Sequence, residues 1–248
     1  MIILKRESDI AKMRECGRIL AWTLRMVSEE IKPGVTPLIL DQLAEKLIRE
    51  KGGKPSFLGY RGFPASTCIS VNNVVIHGIP DSTPLEEGDI IDLDFGVHKD
   101  GFHADSAWTF PVGKIAKNAE RLLNITQEAM WQGISKAKVG AKVGEISSTV
   151  QKYVESNGYS IVRELVGHGI GRNLHEEPSV PNYGKASGGA LLREGTTICI
   201  EPMVNEGTAD IVTLEDGWTM LTKDGKLSAH FEHTVAVTRE GPEVLTVE

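Results

Sequence analysis

The chain has little cysteine, no excess of positive charge and no long apolar run. Its three cysteines, Cys16, Cys68 and Cys199, are odd in number, scattered and without zinc-site spacing. A disulfide scaffold and a thiolate metal site are therefore not expected, and reduced thiols fit a cytoplasmic setting. The formal net charge of -7, with no dense Lys/Arg run, argues against nucleic-acid or membrane-surface binding. No apolar stretch approaches the ~18 residues of a membrane span, and "MIILKRESDIAKMRE" is too charged for a secretory signal. What is present is ordinary for a soluble globular protein: 40% hydrophobic and 25% charged residues, enough for a real core. A length of 248 residues suits one large domain or two small ones.

Periodicity divides the chain into blocks. Ser8 is placed to cap a helix in which Ile10, Met13, Gly17, Leu20, Leu24, Val27 and Ile31 step by three and four. "KPGVTP" breaks it, and Thr36-Pro37 starts a second helix that ends at Gly52-Gly53. "STCISVN" and "VVIHGI" read as strands joined in a hairpin at Asn72-Asn73. "DIIDLDFGV" and "GFHADSAWTF" form a second pair, with a two-residue turn at Asp100-Gly101. Helices are expected over 117–138 and 142–156, the latter halted by Asn157-Gly158. "TTICIEPMV", "DIVTLEDGWTML" and "AHFEHTVAVT" read as strands again. No segment has linker composition, so the expectation is one α+β domain over residues 1–248.

A faint internal repeat runs through these blocks. "LEEGDIIDLD" (85–94) aligns without gaps on "LREGTTICIE" (192–201), which sets Asp94 over Glu201. Upstream lie His77 in "VVIHGI" and His168 in "LVGHGI"; downstream lie Asp105 and Glu232. Each half thus offers one histidine and two acids in the same order, as a duplicated, two-fold-related core would.

The acids carry the chemistry. Asp94 sits in an apolar strand, where a carboxylate is costly to bury alone. A two-residue turn at Asp100-Gly101 puts Asp94 and Asp105 diagonally adjacent on one face. Two carboxylates held together repel unless they share a proton or hold a cation. Glu201 and Glu232 repeat the problem. Four acids and one imidazole fit a two-metal site, oxygen-rich enough for Mn, Fe or Co and tolerant of Zn. His98, His103, His230 and His233 gain no such support and read as solvated or supporting residues. Cys68 and Cys199 read as small buried hydrophobes. "VGHGIGRNLHEEPSVPNYG" poses a separate question, because its glycines and prolines make a helix unlikely around His168 and His175.

Taken together, "GYRGFPASTCISVNNVVIHGIP", "GDIIDLDFGVHKDGFHADSAWTF", "GHGIGRNLHEEPSVPNYG", "IEPMVN" and "LSAHFEHTVAV" are specific. Through them the chain resembles the type I methionine aminopeptidases of peptidase family M24 over essentially its whole length. The resemblance implies the pita-bread fold, two pseudo-symmetric halves around a dinuclear metal centre. It implies Asp94 as ligand to one metal, Asp105 and Glu232 bridging both, and His168 and Glu201 completing the second. It further implies a metal-bridging hydroxide as nucleophile, Glu201 as general base, and His175 as donor to the developing oxyanion. His77 would contact the scissile peptide. The methionine pocket maps onto Tyr60, Phe63, Cys68 and Trp218, with Phe57 and Leu174 at neighbouring wall positions. Some relatives carry Cys and Phe at those last two places. Asn72, Val74 and Ser228 match a monovalent-cation site.

The implied substrates are nascent polypeptide N-termini with a small second residue. A monomer, and a contact with the ribosome, go with that role. Two rivals share the fold. An X-Pro aminopeptidase or prolidase has the same five ligands, although those enzymes usually carry a large additional N-terminal domain. A non-catalytic binding protein would be expected to have lost ligands that this chain keeps.

Overall fold

The apolar steps near the N-terminus form the expected amphipathic helix, α1 (Glu7–Ser28), and bury Ile10, Met13, Leu20, Leu24 and Val27. In this computed structural model, which describes residues 1–248, the chain continues through α2 (Pro37–Glu50), β1 (Lys54–Pro55), β2 (Cys68–Val71), β3 (Val74–Ile76), β4 (Ile90–Lys99) and β5 (Phe102–Pro111). Then come α3 (Lys117–Ile134), α4 (Val143–Ser156), β6 (Ser160–Ile161), β7 (Gly167–Gly169), β8 (Glu176–Val180), β9 (Thr197–Ile200) and β10 (Met203–Asn205). The last strands are β11 (Ile211–Thr213), β12 (Met220–Thr222), β13 (Ser228–His230), β14 (His233–Thr238) and β15 (Gly241–Val244).

Local signals explain most boundaries. Thr36 accepts a hydrogen bond from the Ile39 amide at 3.3 Å, and Pro37 opens α2 without losing a bond. Helix α1 starts one residue before Ser8, because the Asp9 carboxylate reaches back to the Arg6 amide at 3.2 Å and supplies the cap. Helix α3 stops at Ile134 rather than 138. No helix is long and apolar enough to cross a membrane.

The β4–β5 hairpin turns at Asp100 and Gly101, both at positive φ, and runs in unbroken register from Lys99↔Phe102 to Ile90↔Pro111. Strand β4 also pairs with β1 and β2. In the second half β14 lies between β9 and β15, and β9 continues to β7 and β8. The halves meet where Glu232 and Ala107 exchange backbone hydrogen bonds and Trp108 bridges Phe231. Helices α1 and α2 cover the first half, α3 and α4 the second, each over its own apolar core. This is the expected α+β pita-bread architecture.

Two expectations need correction. The chain does turn at Asn72, at φ 57°, but β2 and β3 do not form a hairpin ladder: β2 pairs with β4, while β3 pairs with β12 in a different sheet. The strands expected over "TTICIEPMV", "DIVTLEDGWTML" and "AHFEHTVAVT" are each broken in two, the second into the antiparallel pair β11 and β12. Glu201-Pro202 separates β9 from β10, and Phe231-Glu232 separates β13 from β14. Pro202 has no amide to continue a ladder. The breaks in the first and third each fall at an acid that then turns inward.

Candidate active site

Antiparallel register lays the polar residues in rows across one sheet face. Asp94 stands opposite Cys68 on β2 and Ala107 on β5, while Asp105 stands opposite Gly96. Asp94 and Asp105 are therefore diagonal neighbours, as expected. The Glu232 amide donates to the Ala107 carbonyl at 2.8 Å, which brings Glu232 beside the same row. Glu201 arrives from the break after β9 and is fixed from behind, where Asn182 Nδ2 donates to its carbonyl at 3.0 Å.

All four acids are buried, and Asp94 Oδ1, Asp105 Oδ1, Glu201 Oε1 and Glu232 Oε1 have no hydrogen-bond partner. Burial, with mutual repulsion added, raises Asp105, Glu201 and Glu232 well above the usual carboxylate range. Asp94 is raised to about 7, chiefly by burial. Orphaned carboxylate oxygens converging in a desolvated space are a poor arrangement for a protein alone and a good one for divalent cations.

His168 completes the donor set. Its Nδ1–H donates to the Gly169 carbonyl at 2.9 Å, which leaves the Nε2 lone pair free. Nε2 lies 3.5 Å from Glu201 Oε1 and 4.0 Å from Asp105 Oδ2. Burial lowers the ring to about 3, so it is neutral and able to ligate. Asp105, His168, Cys199 and Glu232 each place a ligand atom within 4.8 Å of the others. Cys199 is the weak member: burial and the nearby carboxylates push its thiol far up, so it stays protonated beneath the acids. The donors that fit divalent ions are the four acids and His168.

The glycines around His168 have a steric cause. A Cβ at Gly167 would collide with the Cys199 carbonyl, and one at Gly169 with that of Glu177. Strand β7 threads between β8 and β9 only because both positions lack side chains. His175 stands across from His168, ring centroids 4.1 Å apart. Behind it, a buried 2.6 Å ion pair from Lys5 to Glu176 ties the loop to the N-terminal segment.

His77 has φ 57°, a left-handed backbone costing a non-glycine residue roughly 1–3 kcal/mol. Burial, with His230 and His175 adding to it, lowers its ring to about 4. Trp218 meets His77 edge-on at 6.2 Å and Phe63 at 5.2 Å. Asp41 on α2 accepts the Ser66 and Thr67 amides at 3.1 and 2.8 Å and so fixes the loop between Phe63 and Cys68.

These groups surround one cavity of about 180 Å³. It is lined by every candidate catalytic, ligating and pocket residue, including Phe57, Tyr60, Phe63, Cys68, Leu174 and Trp218. Asn72 and Ser228 also come together: the Asn72 carbonyl accepts the Ser228 amide at 3.0 Å, and Ser228 Oγ donates to Asn205 Oδ1 at 2.8 Å.

Among the lining residues that the sequence did not single out, His230 bears most on the chemistry. His230 is buried, its Nδ1 is 3.2 Å from Asp92 Oδ2, and its Nε2 has no partner. Burial would lower this imidazole, but Asp92, with Asp94 and Glu232 adding to it, outweighs burial and the ring is raised to about 9. His230 and Asp92 each stand two residues before an acid of the site, and that two-residue strand spacing was the available signal. His98, His103 and His233 lie outside the cavity; His233 Nδ1 is bonded to Thr246 Oγ1 at 2.7 Å.

Residues 11–239 match the model of metallopeptidase family M24, and the chain belongs to that family, whose members use divalent metal. Within it the chain groups with the methionine aminopeptidases. It is 53% identical over 247 residues to the methionine aminopeptidase of Clostridium perfringens, covering 100% of this chain and 99% of that one. The methionine aminopeptidase structure from Rickettsia prowazekii superposes with a TM-score of 0.98 at 43% identity, covering 100% of both chains. The prolidase of Pyrococcus furiosus shares the fold at a TM-score of 0.80 and 24% identity, with 99% of this chain and 66% of that chain covered.

Proposed function

We propose that this metallopeptidase removes the N-terminal methionine from polypeptides, nascent chains above all, when the second residue is small. The observation that carries this reading is the junction of the orphaned acids with an aromatic, sulfur-compatible slot in a single cavity. Asp94, Asp105, His168, Glu201 and Glu232 would hold two divalent ions drawn from Mn, Fe, Co or Zn. When bound, such ions supply a water acidic enough to react near neutral pH and a Lewis acid for the scissile carbonyl.

The side chains do the rest. Glu201 accepts the proton of the attacking water and passes it toward the leaving amine. The Tyr60 hydroxyl, 2.9 Å from His175 Nδ1, donates to that nitrogen and so keeps the proton of the neutral ring on Nε2. Nε2–H then donates to the substrate carbonyl as it gains negative charge. His77 contacts the scissile peptide from the opposite wall. Tyr60, Phe63, Cys68, Trp218, Phe57 and Leu174 receive the unbranched thioether, and the crowding of His77 and His175 at the rim favours a small second residue.

The reading includes one catalytic domain over residues 1–248, a monomer in the cytoplasm, a contact with the ribosome, and a monovalent cation near Asn72, Val74 and Ser228. Its test is release of methionine from Met-Ala-Ser by metal-reconstituted protein. Chelation should abolish release, and Mn²⁺ or Co²⁺ should restore it. Full activity in verified metal-free protein would overturn the reading.

A further inference from the structure

The sheet face that carries the acids continues past them toward the hairpin tip, and its last polar row is a pair of histidines. His98 on β4 stands directly opposite His103 on β5. The His103 amide points away from β4 and donates to the Gly171 carbonyl at 2.8 Å, so the two form a non-hydrogen-bonded pair. Side chains approach each other most closely in such pairs. The ring centroids are 4.4 Å apart and the rings are tilted by 32°. Ser56 Oγ is 2.9 Å from His103 Nδ1, which fixes that ring and leaves Nε2 open. The His98 ring makes no hydrogen bond to the protein. Both rings are half-buried: reachable from solvent, yet held by the hairpin.

We propose that His98 and His103 form an accessory site for a divalent transition ion such as Zn²⁺, separate from the catalytic centre. Imidazole suits Zn, Ni and Cu and is a poor ligand for Mg or Ca, so the pair selects borderline transition ions. Neither histidine lines the catalytic cavity. Ser56 and Phe57 cross the sheet at Gly96, where a Cβ would lie 2.7 Å from each of them, and this crossing separates the two sites. Lys54 stands opposite His98 on the far side, but it is exposed and its flexible stem lets the ammonium swing clear. Glu176, the nearby acid acting on His103, is tied to Lys5. The ion would be four-coordinate, with two imidazoles and solvent, and so weaker and more exchangeable than an ion held among the buried acids.

The test is calorimetric titration of protein whose catalytic centre is already saturated with Zn²⁺. The wild type takes up one further equivalent of Zn²⁺ per chain. H98N and H103N each lose that step, and S56A, which keeps both rings, retains it. No further uptake by the wild type overturns the proposal, as does retention of the step in either histidine variant. Should a variant fold poorly, the wild-type histidine Cε1–H NMR signals serve instead. Those of His98 and His103 shift together and saturate with the added equivalent; movement of only one of them contradicts a shared ion.

Discussion

Tyr60 grips His175 from behind: the hydroxyl is 2.9 Å from Nδ1, and the two rings stack at 5.4 Å with 13° between their planes. One contact therefore holds Nδ1 and sets the tilt of the imidazole. H175A should retain metal but lower kcat by roughly 10²–10³, the usual loss for one oxyanion donor. H168A should instead weaken metal binding and lower Tm. Calorimetric metal titration beside steady-state kinetics separates the two, and equal metal loss in both variants would contradict the division. Y60F should fall between wild type and H175A in kcat.

Phe57 depends on Gly96. A Cβ at position 96 would lie 2.7 Å from Phe57 Cε1 and 2.7 Å from Ser56 Cβ, so G96A must displace the pocket wall. Overpacking of this kind typically costs about 1–3 kcal/mol. G96A should lower kcat/KM for a methionyl peptide while leaving metal content unchanged, and adding F57L should recover part of the loss. Additive losses in the double variant would show that the two residues do not meet.

The metal-free protein should lose stability as pH rises from about 6.5 to 9. Asp94 at about 7, Asp105, Glu201 and Glu232 well above the usual carboxylate range, and His230 at about 9 are all raised in the folded state. Raised groups stabilise below their unfolded values, and that contribution is lost through the folded ones. The histidines lowered by burial, His77, His103, His168, His175 and His233, act only on the acid side of this window. Thermal melts of chelated protein across the window should fall, and saturating Mn²⁺ should flatten the trend. A chelated protein whose Tm rises toward pH 9 would sink the assignment.

Asp92 and His230 form a buried ion pair behind the site. D92A should cost about 1–3 kcal/mol, because it leaves the buried His230 Nδ1 without its partner. The neutral pair D92N/H230Q keeps a hydrogen bond across the same gap and should cost clearly less. Denaturant unfolding of metal-loaded protein measures both; a double variant as damaged as D92A would contradict the pair.

Much of this arrangement was legible beforehand because it is local. The Asp100-Gly101 turn fixes the register, and the register makes Asp94 and Asp105 diagonal neighbours without further information. Pro202 was a legible mark of the first break, since it cannot continue a ladder, whereas nothing around Phe231-Glu232 signals the second, which falls where the seam between the halves forms. Asn72-Asn73 has turn chemistry, yet β2 and β3 find better partners in β4 and β12, a choice made by tertiary pairing. His230 resembled any core histidine until Asp92, far away in sequence, came to lie within hydrogen-bonding distance.

The central claim is that the acids and the aromatic slot act on one substrate end, an unblocked N-terminal methionine. Its most direct test is kcat/KM of the Mn²⁺- or Co²⁺-reconstituted protein on Met-Ala-Ser against Ala-Pro-Ser, with norleucine in place of methionine as a third substrate. Norleucine should be cut nearly as well as methionine, because a small change in a hydrophobic slot is worth only about 1–3 kcal/mol. Met-Ala-Ser should be cut far faster than Ala-Pro-Ser. Faster cleavage of Ala-Pro-Ser would contradict the account and assign the cavity a prolidase-like activity.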